Sequence, residues 1–245
     1  MDKNVLITGA SGGIGEALCR EFAKNGCNVI IHYNSSEESA LKLQKELEND
    51  YQVKAVSIKA DLRKKEDVKH LAEKAASAFG KIDVLINNAG VAYLTLFQSA
   101  DDSKVRELFD INLMSAMNLT KEILPSMIRN HSGRIINISS MWGIAGASCE
   151  VHYSASKSAL IGFTKALAKE VGPSGITVNC IAPGYIDTKM NSSVDAESVA
   201  GIVEATPMGR KGRPEDVSAL AVFLAGEQAE FITGQVISVD GGYGV

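Results

Sequence analysis

Short apolar runs alternate with longer amphipathic segments along almost the whole chain. The runs at 4–8, 28–33, 53–59, 82–87, 133–139, 176–182 and 235–239 are predicted strands. Most are apolar at successive positions, the signature of parallel strands covered on both faces. Between them, helical periodicity predicts helices over 14–25, 36–49, 65–79, 103–130, 152–171 and 214–225. The last of these opens with Pro214, Glu215 and Asp216, a sequence suited to a helix start. Strand and helix in strict alternation imply βαβ units, hence an α/β fold: one doubly wound parallel sheet with helices on both faces. Residues 1–245 read as a single domain, without repeats or linkers. The stretch 188–213 breaks the rhythm: it is polar, contains Gly and Pro, and is long for a connection. It is expected to be a loop, and a candidate lid over a site.

The first predicted strand runs directly into TGASGGIG, Thr8 to Gly15, and then into a helix. Gly9 permits a tight turn, Gly13 lets the backbone approach a phosphate, and Gly15 allows close helix–strand packing. The helix N-terminus behind them offers free N–H groups to a pyrophosphate. The spacing is GxxxGxG, a variant of the dinucleotide fingerprint, and the loop from Gly9 through Ser11, Gly12, Gly13, Ile14 and Gly15 is the expected cradle. Asp61 and Leu62 end the third strand, and Asn88, Ala89 and Gly90 end the fourth. In open α/β sheets ligands bind at these carboxyl ends. Asp61 is expected to accept a hydrogen bond from an adenine amino group, and Asn88 and Gly90 to line a nucleotide crevice.

Composition narrows the function further. Hydrophobic residues are 45% and charged residues 22% of the 245, as in ordinary globular chains with a sizeable core. A net charge of −4 argues against nucleic acid or an anionic membrane surface as the main partner. The N-terminus lacks the pattern of a signal peptide, and no apolar run reaches the ~18 residues of a membrane span, so a cytoplasmic location is expected. Cys19, Cys27, Cys149 and Cys180 show no metal-ligand or CxxC spacing, and no metal site is expected.

The chemistry is concentrated in HYSASK, His152 to Lys157, where Tyr153 and Lys157 fall one helical turn apart on one face. His152 points about 100° away and reads as a structural or rim residue. TGASGGIG, NNAG (87–90), Asn112, Ser140, Tyr153-x-x-x-Lys157 and PG (183–184) together resemble the short-chain dehydrogenase/reductase family in order and spacing. The resemblance spans the chain. It implies a seven-stranded sheet, a nicotinamide cofactor, and hydride exchange at a carbonyl or alcohol carbon. It also implies that Tyr153 delivers the proton to the carbonyl oxygen and that Ser140 polarises that oxygen. Lys157 would hold the nicotinamide ribose, and Asn112 a water linking Lys157 to solvent. Pro183, Gly184, Ile186 and Thr188 would complete the cofactor site. A lysine charge at roughly 4 Å, across an effective dielectric near 20, favours phenolate by about 4 kcal/mol. Lys157 is therefore expected to draw the Tyr153 pKa down from its ordinary value near 10.

At the end of the second strand, Tyr33 stands where an acid would exclude a 2′-phosphate, and Asn34 and Ser35 follow as small polar groups. This favours NADP(H) over NAD(H), although Gly12 occupies a loop position that is basic in many NADP-using relatives. HYNSSEE, APGYIDTKM (182–190) and the C-terminal TGQVISVDGGYGV are most similar to bacterial 3-oxoacyl-[acyl-carrier-protein] reductases, which reduce a 3-oxoacyl thioester in fatty acid synthesis. Basic residues expected to meet the acidic carrier protein are here His131 and Ser174, with Arg129, Arg134 and Lys169 nearby as substitutes. A secondary-alcohol, hydroxysteroid or sugar dehydrogenase on the same scaffold is the alternative. The resemblance also implies a homotetramer.

Overall fold

Seven strands form one all-parallel sheet in the order β3-β2-β1-β4-β5-β6-β7. The computed structural model describes residues 1, 3–192 and 194–244. The strands are β1 Asn4–Ile7, β2 Asn28–Tyr33, β3 Ala55–Lys59, β4 Val84–Asn87, β5 Gly133–Ile138, β6 Ile176–Pro183 and β7 Val236–Val239. Helices α1 Ile14–Lys24, α2 Glu37–Tyr51 and α9 Pro214–Ala225 cover one face, and α3 Lys65–Phe79, α5 Ser115–Arg129 and α7 Val151–Val171 the other. The continuous apolar strands follow from this two-sided cover. Along β1, Val5 and Ile7 enter the first core while Leu6 enters the second; on β4, Val84 and Ile86 part from Leu85 in the same way. Each such fully buried Leu, Ile or Val stabilises the fold by roughly 1.5–3 kcal/mol relative to exposure.

Two departures from the sequence reading bear on the site. The helix expected over 103–130 is two helices, α4 Asp102–Phe109 and α5, joined by a π-helical turn over Asp110–Met114. One extra residue per turn at that point carries Asn112 inward, where it is 1% exposed. The stretch 188–213 is not wholly a loop. It contains a 3₁₀ turn, Lys189–Asn191, and helix α8, Ala196–Ala205. Asp195 caps α8 by accepting the Ser198 N–H at 2.8 Å. A cap residue followed by Val199, Ile202 and Val203 at helical spacing was the available signal, masked by the polar flanks. No described residue of α8 is fully buried, so the helix rests on the surface by one half-covered face. A short helix α6, Trp142–Ala145, also precedes α7.

Strand order reverses between β1 and β4, which opens a crevice at the carboxyl ends of these two strands. The helix packing on each face leaves that edge uncovered. The glycine loop, the ends of β4, β5 and β6 and the start of α7 meet there.

Candidate active site

A cavity of about 330 Å³ extends from the glycine loop to the N-terminal turn of α7, within the range of small-molecule sites. Its wall includes Gly9, Gly12, Gly13 and Ile14 from the loop, Asn88, Ala89 and Gly90 after β4, and Ser140 after β5. Tyr153 and Lys157 enter from α7, and Pro183, Gly184, Ile186 and Thr188 from the end of β6. These residues, expected at one site from sequence, are brought together.

The loop fits a phosphate-bearing dinucleotide. Gly13 has φ +53, a left-handed conformation that L side chains rarely adopt, and Gly15 has no room for a side chain, because a Cβ there would overlap the Gly9 carbonyl oxygen. No side chain caps the α1 N-terminus at Gly13, and of the first-turn N–H groups Gly15's is taken by the Gly12 carbonyl at 3.0 Å, which leaves the helix end itself to receive an anion. Beside Gly12 nothing lies within 4 Å of an added Cβ. The loop is held in this shape from two sides. Asn88 Nδ2 donates to the Thr8 and Gly9 carbonyls at 2.9 and 3.2 Å, so its side chain braces the loop rather than facing a ligand freely. From β2, His32 accepts the Gly9 N–H at Nδ1, 3.0 Å, and its Nε2 stands 3.0 Å from the Ala60 carbonyl. The first contact makes Nδ1 the acceptor and so places the proton on Nε2, which donates to Ala60. Burial holds the imidazole neutral, with its pKa lowered to about 4. The sequence reading missed this residue, whose only signal was a polar ring inside an otherwise apolar strand.

Several expected cofactor residues stand outside this cavity. Asn34 and Ser35 are exposed past β2, and Ser11, Leu62 and Asp61 do not line it. Both Asp61 oxygens accept from the Arg63 guanidinium at 2.8 Å, which holds the carboxyl down at about 2. That carboxylate is spent on Arg63, so an adenine amino group would have to compete for it. Tyr33 turns inward, 6% exposed, and donates to Glu37 at 3.1 Å.

At the other end of the cavity, the Lys157 ammonium donates to the Ile138 carbonyl at 2.9 Å and lies 5.7 Å from the Tyr153 ring centroid. The spacing was right: phenol and amine do share one face of α7. The expected acidification of the phenol is not found. Burial pushes the Tyr153 pKa up to about 12, with the Glu150 carboxylate adding to the rise and a Ser140 hydrogen bond opposing it. Burial also lowers Lys157 to about 8. Two buried groups of opposite character each resist ionisation, and at this separation desolvation outweighs their attraction. The phenol therefore keeps its proton near neutral pH, as a general acid must.

Asn112 lies behind the cavity wall. Its Nδ2 donates to the Val91 carbonyl (2.9 Å) and to Ser156 Oγ (3.1 Å), and its Oδ1 accepts the Val91 N–H (2.8 Å). The side chain ties the β4 exit to α7. A Cβ added at Gly90 would lie 3.2 Å from Lys157 Nζ and 3.3 Å from Asn112 Oδ1, so only glycine lets these groups gather. Trp142 forms part of the cavity wall and meets Tyr243 edge-on, ring centroids 5.6 Å apart, a C-terminal contact unseen in sequence. His152 stacks on Phe97, ring centroids 5.1 Å apart, and does not line the cavity. Arg129, Arg134 and Lys169 lie at the amino ends of β5 and β6, opposite the cavity, with His131 and Ser174. Along a strand such as β5 that separation is roughly 20 Å.

The short chain dehydrogenase family model matches residues 3–198. An uncharacterized oxidoreductase, YmfI, of Bacillus subtilis (strain 168) is 40% identical over 243 residues, covering 99% of each chain. The 3-oxoacyl-[acyl-carrier-protein] reductase FabG of Rickettsia conorii is 43% identical over 240 residues, 98% of this chain and 96% of its own. That of Chlamydia muridarum is 38% identical over 242 residues, 99% and 97%.

Proposed function

The chain belongs to the short-chain dehydrogenase family and is an NAD(P)-dependent oxidoreductase; from that premise we propose that it reduces the 3-oxo group of an acyl thioester, carried by acyl carrier protein, to the 3-hydroxy form. A bound reduced nicotinamide supplies the hydride to the carbonyl carbon. Tyr153 gives its phenolic proton to the carbonyl oxygen, so C=O becomes CH–OH. The Ser140 hydroxyl hydrogen-bonds the same oxygen and steadies its growing charge. Lys157 would hold the cofactor ribose when it is bound and, as an ammonium, would return a proton to the tyrosine. Asn112 acts through position, locking the β4 exit against α7.

The observation that carries this reading is the convergence of Ser140, Tyr153 and Lys157 on one cavity that begins at the glycine loop. The substrate class rests on the likeness to the two 3-oxoacyl reductases over nearly their whole length. Acetoacetyl thioesters and a panel of ketones, steroids and sugars, offered with NADPH, test it. The thioesters should be reduced fastest, and Tyr153→Phe should bind cofactor yet lose at least 10²-fold in turnover, the typical share of a general acid. Near-normal turnover in Tyr153→Phe refutes the mechanism; faster turnover of a secondary alcohol or steroid refutes the substrate class.

NADPH is the favoured cofactor in this reading. The β2 end presents Asn34 and Ser35 in the open, and the nearby Glu37 is engaged by Tyr33. A kcat/KM ratio for NADPH over NADH below one overturns this. We further propose that the segment 188–213, which brings Thr188, Lys189, Met190 and Asn191 to the cavity wall, is a substrate lid. The active form is a homotetramer in the cytoplasm, part of fatty acid synthesis. With the basic residues Arg129, Arg134 and Lys169 far from their own cavity, a carrier protein bound there would serve the site of a neighbouring subunit.

A further inference from the structure

Glu150 is an acid that the proposed chemistry does not use. It is the N-cap residue of α7, three residues ahead of Tyr153, and it forms part of the same cavity wall as Tyr153. Its carboxylate is close enough to raise the phenol's proton affinity. It is half-buried, and burial raises its own pKa. Its side chain makes no capping bond to α7 and has no ion-pair partner among the described residues. The other charged groups of the wall are Lys157, turned to the Ile138 carbonyl, and Lys189, exposed on the segment after β6. An uncompensated carboxylate beside the proton donor has one unavoidable effect. It makes the space next to the reacting carbonyl unfavourable for a second negative charge.

We propose that Glu150 is a specificity-determining charge filter: it admits neutral ketones, such as esters and thioesters, and rejects ketones bearing a carboxylate near the carbonyl. The filter deepens the 3-oxoacyl reading and rests on it for its purpose. A 3-oxo thioester is neutral around the reacting carbon, whereas the free 3-oxo acid left by its hydrolysis is an anion of nearly the same shape. Shape alone discriminates poorly between such similar molecules. Discrimination comes cheaply from a fixed charge in a site of low effective dielectric.

The test compares ethyl acetoacetate with acetoacetate at mildly alkaline pH, in the wild type, Glu150→Gln and Glu150→Lys. Gln keeps the size of the side chain and removes no capping bond, so it is the variant expected to fold. Two like charges about 10 Å apart, across an effective dielectric near 20, favour the ester over the acid on the order of tenfold. The ester-to-acid ratio of kcat/KM should fall by that factor in Glu150→Gln and further in Glu150→Lys. A residue that merely shaped the pocket would not order the ratio by charge. Trp142, the single tryptophan of the chain and part of the same wall, gives a second readout: fluorescence titration with each compound reports binding without turnover. A ratio that stays constant across the charge series, in turnover or in titration, overturns the filter and leaves the 3-oxoacyl reading intact. Absence of turnover of either compound, with titration still ordered by charge, overturns the 3-oxoacyl reading and leaves the filter standing.

Discussion

The Lys157 ammonium donates to the Ile138 carbonyl at 2.9 Å, and the phenol it was expected to acidify is held protonated by its surroundings. The i,i+4 spacing puts the two side chains near each other but cannot weigh burial against attraction, since burial belongs to the folded chain. The consequence is a definite pH profile. Reduction needs a protonated phenol, available up to about 12, and a charged amine, lost above about 8. The kcat/KM for ketone reduction should therefore fall about tenfold per pH unit once pH passes Lys157's value of about 8, and Lys157→Met should be slow with that limb missing. A profile that stays flat well past that point contradicts the assignment. His32 makes a second residue-scale prediction. Its folded pKa of about 4 lies below the ordinary 6.5, so the unfolded chain takes up a proton first as pH falls. Stability is complete above 6.5, declines as pH drops from there, and levels off below about 4, a loss of about 3 kcal/mol at most. His32→Asn, which still offers an acceptor to Gly9, should flatten that decline relative to wild type in thermal melts across this range.

At the scale of elements, the glycine loop and α1 were legible because Gly9, Gly13 and Gly15 answer to backbone geometry that no other residue satisfies. The break between α4 and α5 was not. A π turn arises where a side chain earns long-range hydrogen bonds, here Asn112 to Val91 and Ser156, and its helical periodicity looks uninterrupted. Helix α8 escaped notice for the complementary reason, that its apolar face is narrow and only half covered. The loop also offers a clean engineering test. Gly12 is exposed and open on its Cβ side, so Gly12→Arg should be accommodated with little change in Tm. A charged contact to a phosphate contributes roughly 1.5–3 kcal/mol, so the NADPH-to-NADH ratio of kcat/KM should rise about tenfold or more. An unchanged ratio would place the 2′-phosphate elsewhere than beside this loop.

For the molecule as a whole, the sheet leaves β7 as an edge strand, and large apolar side chains remain outside it: Phe231 is 100% exposed before β7, Met114 and Met117 are 40% and 39% exposed along the π turn and α5. An uncovered edge and apolar patches of this kind are usually occupied by another copy in symmetric assemblies. Light scattering should give the mass of a tetramer, and Phe231→Asp should shift it toward smaller species; a monomer in the wild type refutes the assembly. The sequence alone determined the sheet and its two-sided cover, since strands apolar at every position can be buried only between two layers. It likewise pointed to the Gly, Tyr and Lys positions that share one cavity, because their spacings follow local backbone geometry. Only the tertiary structure decided that Asp61 is bound to Arg63, that Glu150 shares a cavity wall with Tyr153, and that burial weakens Lys157 as a cation by lowering its pKa to about 8. Contact and desolvation arise between segments distant along the chain, and their balance exists only once those segments have packed.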